Sequence, residues 1–97
     1  MMKIPLTRKS IIEILNEWDV VYVKKHKLSG YVKPENNKII INANQSTKEL
    51  GITLFHEILH LHYGNKNIFH TDLQIEMEAR YYYSKKPDLL EFIYSFL

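Results

Sequence analysis

The chain has 97 residues, 45% of them hydrophobic and 25% charged, a net charge of +2 and no cysteine. That length fits one small domain spanning 1–97, and the composition is that of an ordinary globular protein. The absent cysteines exclude a disulfide framework and any thiolate metal site, and the near-balanced charge gives no push toward nucleic acid or a membrane surface. No apolar run reaches the roughly 20 residues of a membrane span, and the N-terminus lacks the apolar core of a signal peptide, so a cytoplasmic location is expected.

In chain order, Thr7 or Ser10 can cap a first helix whose apolar face is Ile11, Ile12, Ile14, Leu15 and Trp18. Val20 to Val23 read as a short strand. Lys24, Lys25, His26 and Lys27 are polar, and Ser29-Gly30 marks a turn or bulge before a second strand at Tyr31-Val32, which stops at Pro34. Lys38 to Asn42, with three successive isoleucines, is the clearest strand. Ser46-Thr47-Lys48-Glu49 is a capping box that opens a second helix, and Gly64 is placed to end it. Thr71-Asp72-Leu73-Gln74 opens a third helix, which should stop before Pro87, and a short fourth helix begins near Asp88. The pattern predicts an α+β domain with about four helices and a small, mostly antiparallel sheet of about three strands.

The second helix carries the chemistry. It contains His56-Glu57-Ile58-Leu59-His60. Histidines four apart lie on one helix face, close enough to share one Zn2+. Glu57 stands about 100° round the helix, beside such a metal, where a carboxylate can accept a proton from an activated water. The surrounding residues are apolar on nearly every side, so the helix is expected at the centre of the fold, and its buried imidazoles and carboxylate need partners.

A catalytic zinc usually takes three protein ligands. His62 points away from the His56–His60 face, and His70 falls in a loop. Further downstream stand Asp72, Glu76 and Glu78. Glu76 and Glu78 are two apart and cannot share a face. Glu76 makes an i,i+4 pair with Arg80 or orients a histidine from outside, and the more apolar surroundings of Glu78 favour it as the third ligand.

These segments together, the strand at 39–42, Thr53 to Leu61 around H-E-x-x-H, and Glu76-Met77-Glu78-Ala79, resemble the ImmA/IrrE family of metallopeptidases, with Gly30-Tyr31 matching the glycine-aromatic step that opens their sheet. The resemblance covers roughly residues 28–83. It implies a zincin-like fold with zinc on His56, His60 and Glu78 and with Glu57 as general base. It also implies a cytoplasmic endopeptidase associated with mobile elements or phage regulation, acting on a regulatory protein such as a helix-turn-helix repressor. Leu59 stands where the family often has glycine, and Arg80 with Tyr81 to Tyr83 replaces its usual asparagine and small residues.

The developing oxyanion needs a donor besides the metal, and Tyr82, one turn beyond Glu78, is the expected one, with Tyr63 and Tyr31 behind it. An exposed strand edge at Val20 to Val23 or Lys38 to Asn42 can align an extended substrate. The competing expectation is a non-catalytic, zinc-containing regulatory or protein-binding module, which would have no need of Glu57.

Overall fold

A computed structural model describes residues 4–24 and 27–97. Met1, Met2 and Lys3, and Lys25 and His26 of the polar segment, lie outside the described residues. The element order is α1 (Arg8–Glu17), β1 (Asp19–Val23), β2 (Gly30–Lys33), a 3-10 turn (Pro34–Asn36), β3 (Lys38–Asn42), α2 (Thr47–Asn65), α3 (Asp72–Lys85) and α4 (Pro87–Tyr94). This is the α+β arrangement expected, with four helices and three strands. The radius of gyration of 12.3 Å is close to the roughly 12.5 Å of a compact domain of this length.

Local hydrogen bonds set the helix starts. Thr7 caps α1 in a full capping box with Ser10. The side chains of Ser46 and Thr71 accept from the backbone N–H of Glu49 and Gln74, satisfying donors that have no partner inside the helix. The end of α2 differs from expectation. Gly64 stays inside the helix, which runs to Asn65, and Asn67 takes the left-handed conformation at φ 55. Ile68 N–H then bonds Tyr63 C=O at 3.0 Å and Asn67 N–H bonds Gly64 C=O at 3.1 Å. Asparagine tolerates this conformation, and Ile68 gains by packing back onto the core, so the two close the helix one turn later than glycine would.

The sheet is mixed, in the order β1-β3-β2. β2 and β3 form an antiparallel hairpin across the 3-10 turn, which is followed by Asn37 in the left-handed conformation. β1 lies on the far side of β3 and runs parallel to it. The most apolar strand takes the centre, where both edges are paired, and Ile39, Ile40 and Ile41 are all buried. This corrects the expectation that Lys38 to Asn42 offers an edge to a substrate: the edges are β1 and β2.

α2 packs on β2, β3, α1 and α3, and α4 closes against α3 and α1. Around α2 the core gathers Ile11, Ile14, Leu54, Phe55, Ile58, Leu59, Ile75 and Ile93. No described helix is long and apolar enough to cross a membrane. The approach of β2 to α2 is close at one point. A Cβ on Gly30 would stand 2.7 Å from the Thr53 methyl and 3.0 Å from the Ile40 carbonyl oxygen.

Gly30→Ala should therefore cost about 1–3 kcal/mol of stability through overpacking. Thr53→Ser in the same chain removes the opposing methyl and should recover part of the loss. Urea unfolding of the two single variants and the double variant measures the coupling; strictly additive losses would show that the two groups do not oppose each other.

Candidate metal centre

α2 presents His56 and His60 on one face, with their Nε2 atoms 3.1 Å apart. The first turn of α3 brings Asp72, whose Oδ1 lies 3.3 Å from His60 Nε2. One turn further along α3, Glu76 Oε1 lies 3.0 Å from His56 Nδ1. The connection between the two helices supplies His70, whose Nε2 is 3.1 Å from His60 Nδ1.

The hydrogen bonds fix where the ring protons are. The Ile68 carbonyl can only accept, so His70 Nδ1 donates to it at 3.0 Å. His70 Nε2 is then an acceptor, and His60 Nδ1 donates to it. Likewise the Glu76 carboxylate accepts from His56 Nδ1, and also from Arg80 Nε at 2.7 Å. Both histidines are thereby left with a bare Nε2 lone pair, and the two lone pairs point into one space beside Asp72 Oδ1.

Three acceptors facing one another repel unless a positive charge lies between them. A proton on His60 is disfavoured at neutral pH. Burial foremost, then His56 and His70, hold the pKa of His60 below its ordinary value, although Asp72 opposes the shift. A metal cation satisfies the set. His56, His60 and Asp72 offer donor atoms all within 4.8 Å of one another. The 3.1 and 3.3 Å separations match the roughly 3.3 Å edge of a tetrahedron around an ion bonded at about 2.0 Å. The residues present thus offer a donor set that fits a small divalent ion. Glu76 and the His70–Ile68 pair orient the two rings from behind, as hydrogen-bonded partners of ligating histidines commonly do.

Glu78, favoured as the third ligand by its apolar surroundings and by the family resemblance, is not brought to the histidine pair. It is buried on the core side of α3, where one oxygen accepts from the Tyr63 hydroxyl and the other from Gln74 Nε2 at 3.0 Å. Its apolar surroundings reflect this burial; Asp72 and Glu76, i and i+4, are the α3 residues that reach His60 and His56. Tyr82 is likewise placed elsewhere. Its hydroxyl accepts from Leu6 N–H at 2.6 Å, and its ring stacks on Phe55. Tyr63 is fully buried, and burial foremost, then Glu78, holds its phenol far above its ordinary pKa. His62 is buried and donates to the Ile4 carbonyl at 3.3 Å, a packing role.

Glu57 is 93% covered and lies beside the cluster, within both hollows that meet there. Burial raises its carboxyl above the ordinary 4.5, opposed by His56 and reinforced by Asp72. One hollow is polar, about 260 Å³, and includes Ser29, Thr53, Glu49, Glu76 and Arg80. The other, about 630 Å³, is more apolar and wide open, and is lined by Gly30, Tyr31, Val32, Leu61 and Asp72. Both include Gly30 and His56. Two features were missed in the sequence, Asp72 as the third acceptor and His70 as a partner of His60. The i,i+4 spacing of Asp72 and Glu76 on the next helix is the signal that marks the first; none marks the second. Compared with models of protein families, with curated proteins and with solved structures, the chain matches none.

Elemental analysis should find about one zinc per chain, lost in His56→Ala and His60→Ala and strongly reduced in Asp72→Ala. His70→Ala should weaken metal affinity about 10–100-fold. Glu78→Ala should keep the metal while losing about 1–3 kcal/mol of stability, because the buried Tyr63 hydroxyl loses its partner. An empty site in Glu78→Ala together with a loaded one in Asp72→Ala would reverse the assignment of the third ligand.

Proposed function

We propose that this chain is a zinc-dependent endopeptidase related to the ImmA/IrrE family, with a protein such as a helix-turn-helix repressor as its substrate. The observation that carries the reading is the convergence of His56, His60 and Asp72 with a buried glutamate, Glu57, standing beside them rather than among them. A purely structural metal site has no use for such a carboxylate. Two histidines and one carboxylate favour zinc over the harder divalent ions.

When bound, zinc supplies Lewis acidity, lowering the pKa of a water toward about 7 and polarising the substrate carbonyl. Glu57 accepts the proton of the attacking water and passes it to the leaving amine nitrogen. Its raised pKa suits both halves of that task, since the acid it becomes is strong enough to donate and weak enough to have accepted. His70 and Glu76 hold the two imidazoles in the tautomer that leaves Nε2 bare. The hollow beside the site contains Tyr31 rather than Tyr82, which makes Tyr31 the better placed donor to the developing oxyanion. β2 is the sheet edge that borders this hollow, and its outer side offers an extended substrate a row of backbone partners.

Glu57→Gln keeps the shape but cannot accept a proton at neutral pH. It should retain zinc and stability while turnover of a co-expressed repressor-like partner falls by about 10²–10⁴-fold. In the wild type, activity should rise with pH along an acidic limb lying above 4.5, because Glu57 must be ionised to act and burial delays its ionisation. Equal cleavage by wild type and Glu57→Gln would end this mechanism. A wild type that binds zinc and a partner but cleaves nothing would favour the regulatory protein-binding module.

A further inference from the structure

The two hollows at the candidate metal centre share Gly30, His56 and Glu57. The polar one runs along α2, which lines it with Glu49, Ile52, Thr53, His56 and Glu57. These positions, i, i+3, i+4, i+7 and i+8, make one continuous helix face. At about 1.5 Å per residue, Glu49 lies about 10 Å along the helix from His56. The volume of about 260 Å³ is just below the roughly 300–1,000 Å³ of pockets that hold a whole small ligand, a size that suits one long side chain. The charge around it is lopsided. Among the described residues it carries the carboxylates of Glu49, Glu57 and Glu76 against one guanidinium, Arg80. Arg80 is already spanned by two of them, with Nε donating to Glu76 at 2.7 Å and Nη2 to Glu49 at 3.4 Å. Glu76 is used twice, since it also accepts from His56. Glu49 is half-exposed and meets Arg80 through one long contact. Glu57 is 7% exposed, and no described residue hydrogen-bonds its carboxylate. A buried carboxylate in that state needs a donor or a cation, and the hollow is open to one.

We propose that the polar hollow is a substrate subsite that selects a lysine or arginine next to the scissile bond. The subsite rests on the endopeptidase reading, since it needs a peptide lying across His56 and His60. An extended chain points successive side chains to opposite sides. One residue beside the scissile bond therefore enters the polar hollow while its neighbour turns toward Val32 and Leu61 in the other. The apolar stem of a lysine or arginine lies along Ile52 and Thr53, and its charge comes to the far end at Glu49. A carboxylate has about four lone-pair sites, so the one long contact with Arg80 leaves Glu49 able to accept a second cationic donor. An acidic side chain meets the reverse situation. It would set a fourth carboxylate beside three, to reach a guanidinium that two of them already hold.

Binding is read with zinc-loaded Glu57→Gln, in which turnover is suppressed, and with two unstructured peptides alike except for lysine or glutamate beside a central leucine. Glu49 and Glu76 still outnumber Arg80 in that variant, so the lysine peptide should bind at least about threefold tighter. In the same background Glu49→Gln should weaken this preference and Glu49→Lys should erase or reverse it, with zinc content and melting temperature unchanged. Cleavage is read with zinc-loaded wild type and a library of cell-protein peptides, whose new termini are identified by mass spectrometry. Lysine and arginine should be enriched at least about threefold at one position next to the cut, and Glu49→Lys should remove the enrichment. Equal affinity for the two peptides overturns the subsite, and so does a lysine preference that both Glu49 variants leave in place. Cuts without basic enrichment overturn it as well. If the wild type cuts nothing while the lysine preference in binding holds and depends on Glu49, the endopeptidase reading falls and the subsite stands.

Discussion

Helix α2 is buried along most of its length and yet carries two imidazoles and a carboxylate on turns that contact the core. A helix satisfies its own backbone but not its side chains, so these polar groups must be met from outside it. α3 and the connection leading into it do this. Asp72, Glu76 and His70 all come from that one stretch of chain, and each stands within hydrogen-bonding distance of His56 or His60. The packing of α2 on α3 is therefore both the largest helix contact in the fold and the means by which the His56, His60 and Asp72 acceptor atoms are aimed at one another.

The acceptor-only ends of this network give the centre its character. A backbone carbonyl at Ile68 and a carboxylate at Glu76 cannot donate, and that restriction passes through His70 and through His56 to leave bare nitrogens at the centre. Arg80 steadies the arrangement by joining Glu76 at 2.7 Å and Glu49 at 3.4 Å, tying α3 back to the first turn of α2. At half exposure this ion pair contributes little to stability. Its effect is to hold Glu76 in line with His56. Glu78, two residues on, belongs to a separate buried network with Tyr63 and Gln74, which secures the core beneath the site.

The sheet contributes through proximity. Gly30 lets the backbone of β2 approach Thr53 on α2 more closely than any side chain would allow, and the same strand then borders the hollow beside His56 and His60. The glycine that sets the packing distance thus also sets the width of the cleft. On the other side of α3, the Leu73–Met77–Tyr81 stripe faces solvent, so one helix carries core, site and outer surface on three faces.

Features that depend on a few neighbouring residues were legible in the sequence. Thr7, Ser46 and Thr71 start their helices through bonds that reach only three residues along the chain. His56 and His60 share a face because helical geometry requires it, and Glu57 stands beside that face for the same reason. The α+β class followed from the order of these local signals. What only the tertiary structure decided depends on groups far apart in sequence. β3 enters between β1 and β2 because the most apolar strand gains most from pairing on both edges, a competition among strands that no single strand reveals. Which carboxylate of α3 stands beside the histidines, Asp72 or Glu78, turns on how α3 is rotated against α2. The apolar residues around Glu78 drive that rotation, burying Glu78 in the core and leaving the Asp72–Glu76 side to face the histidines.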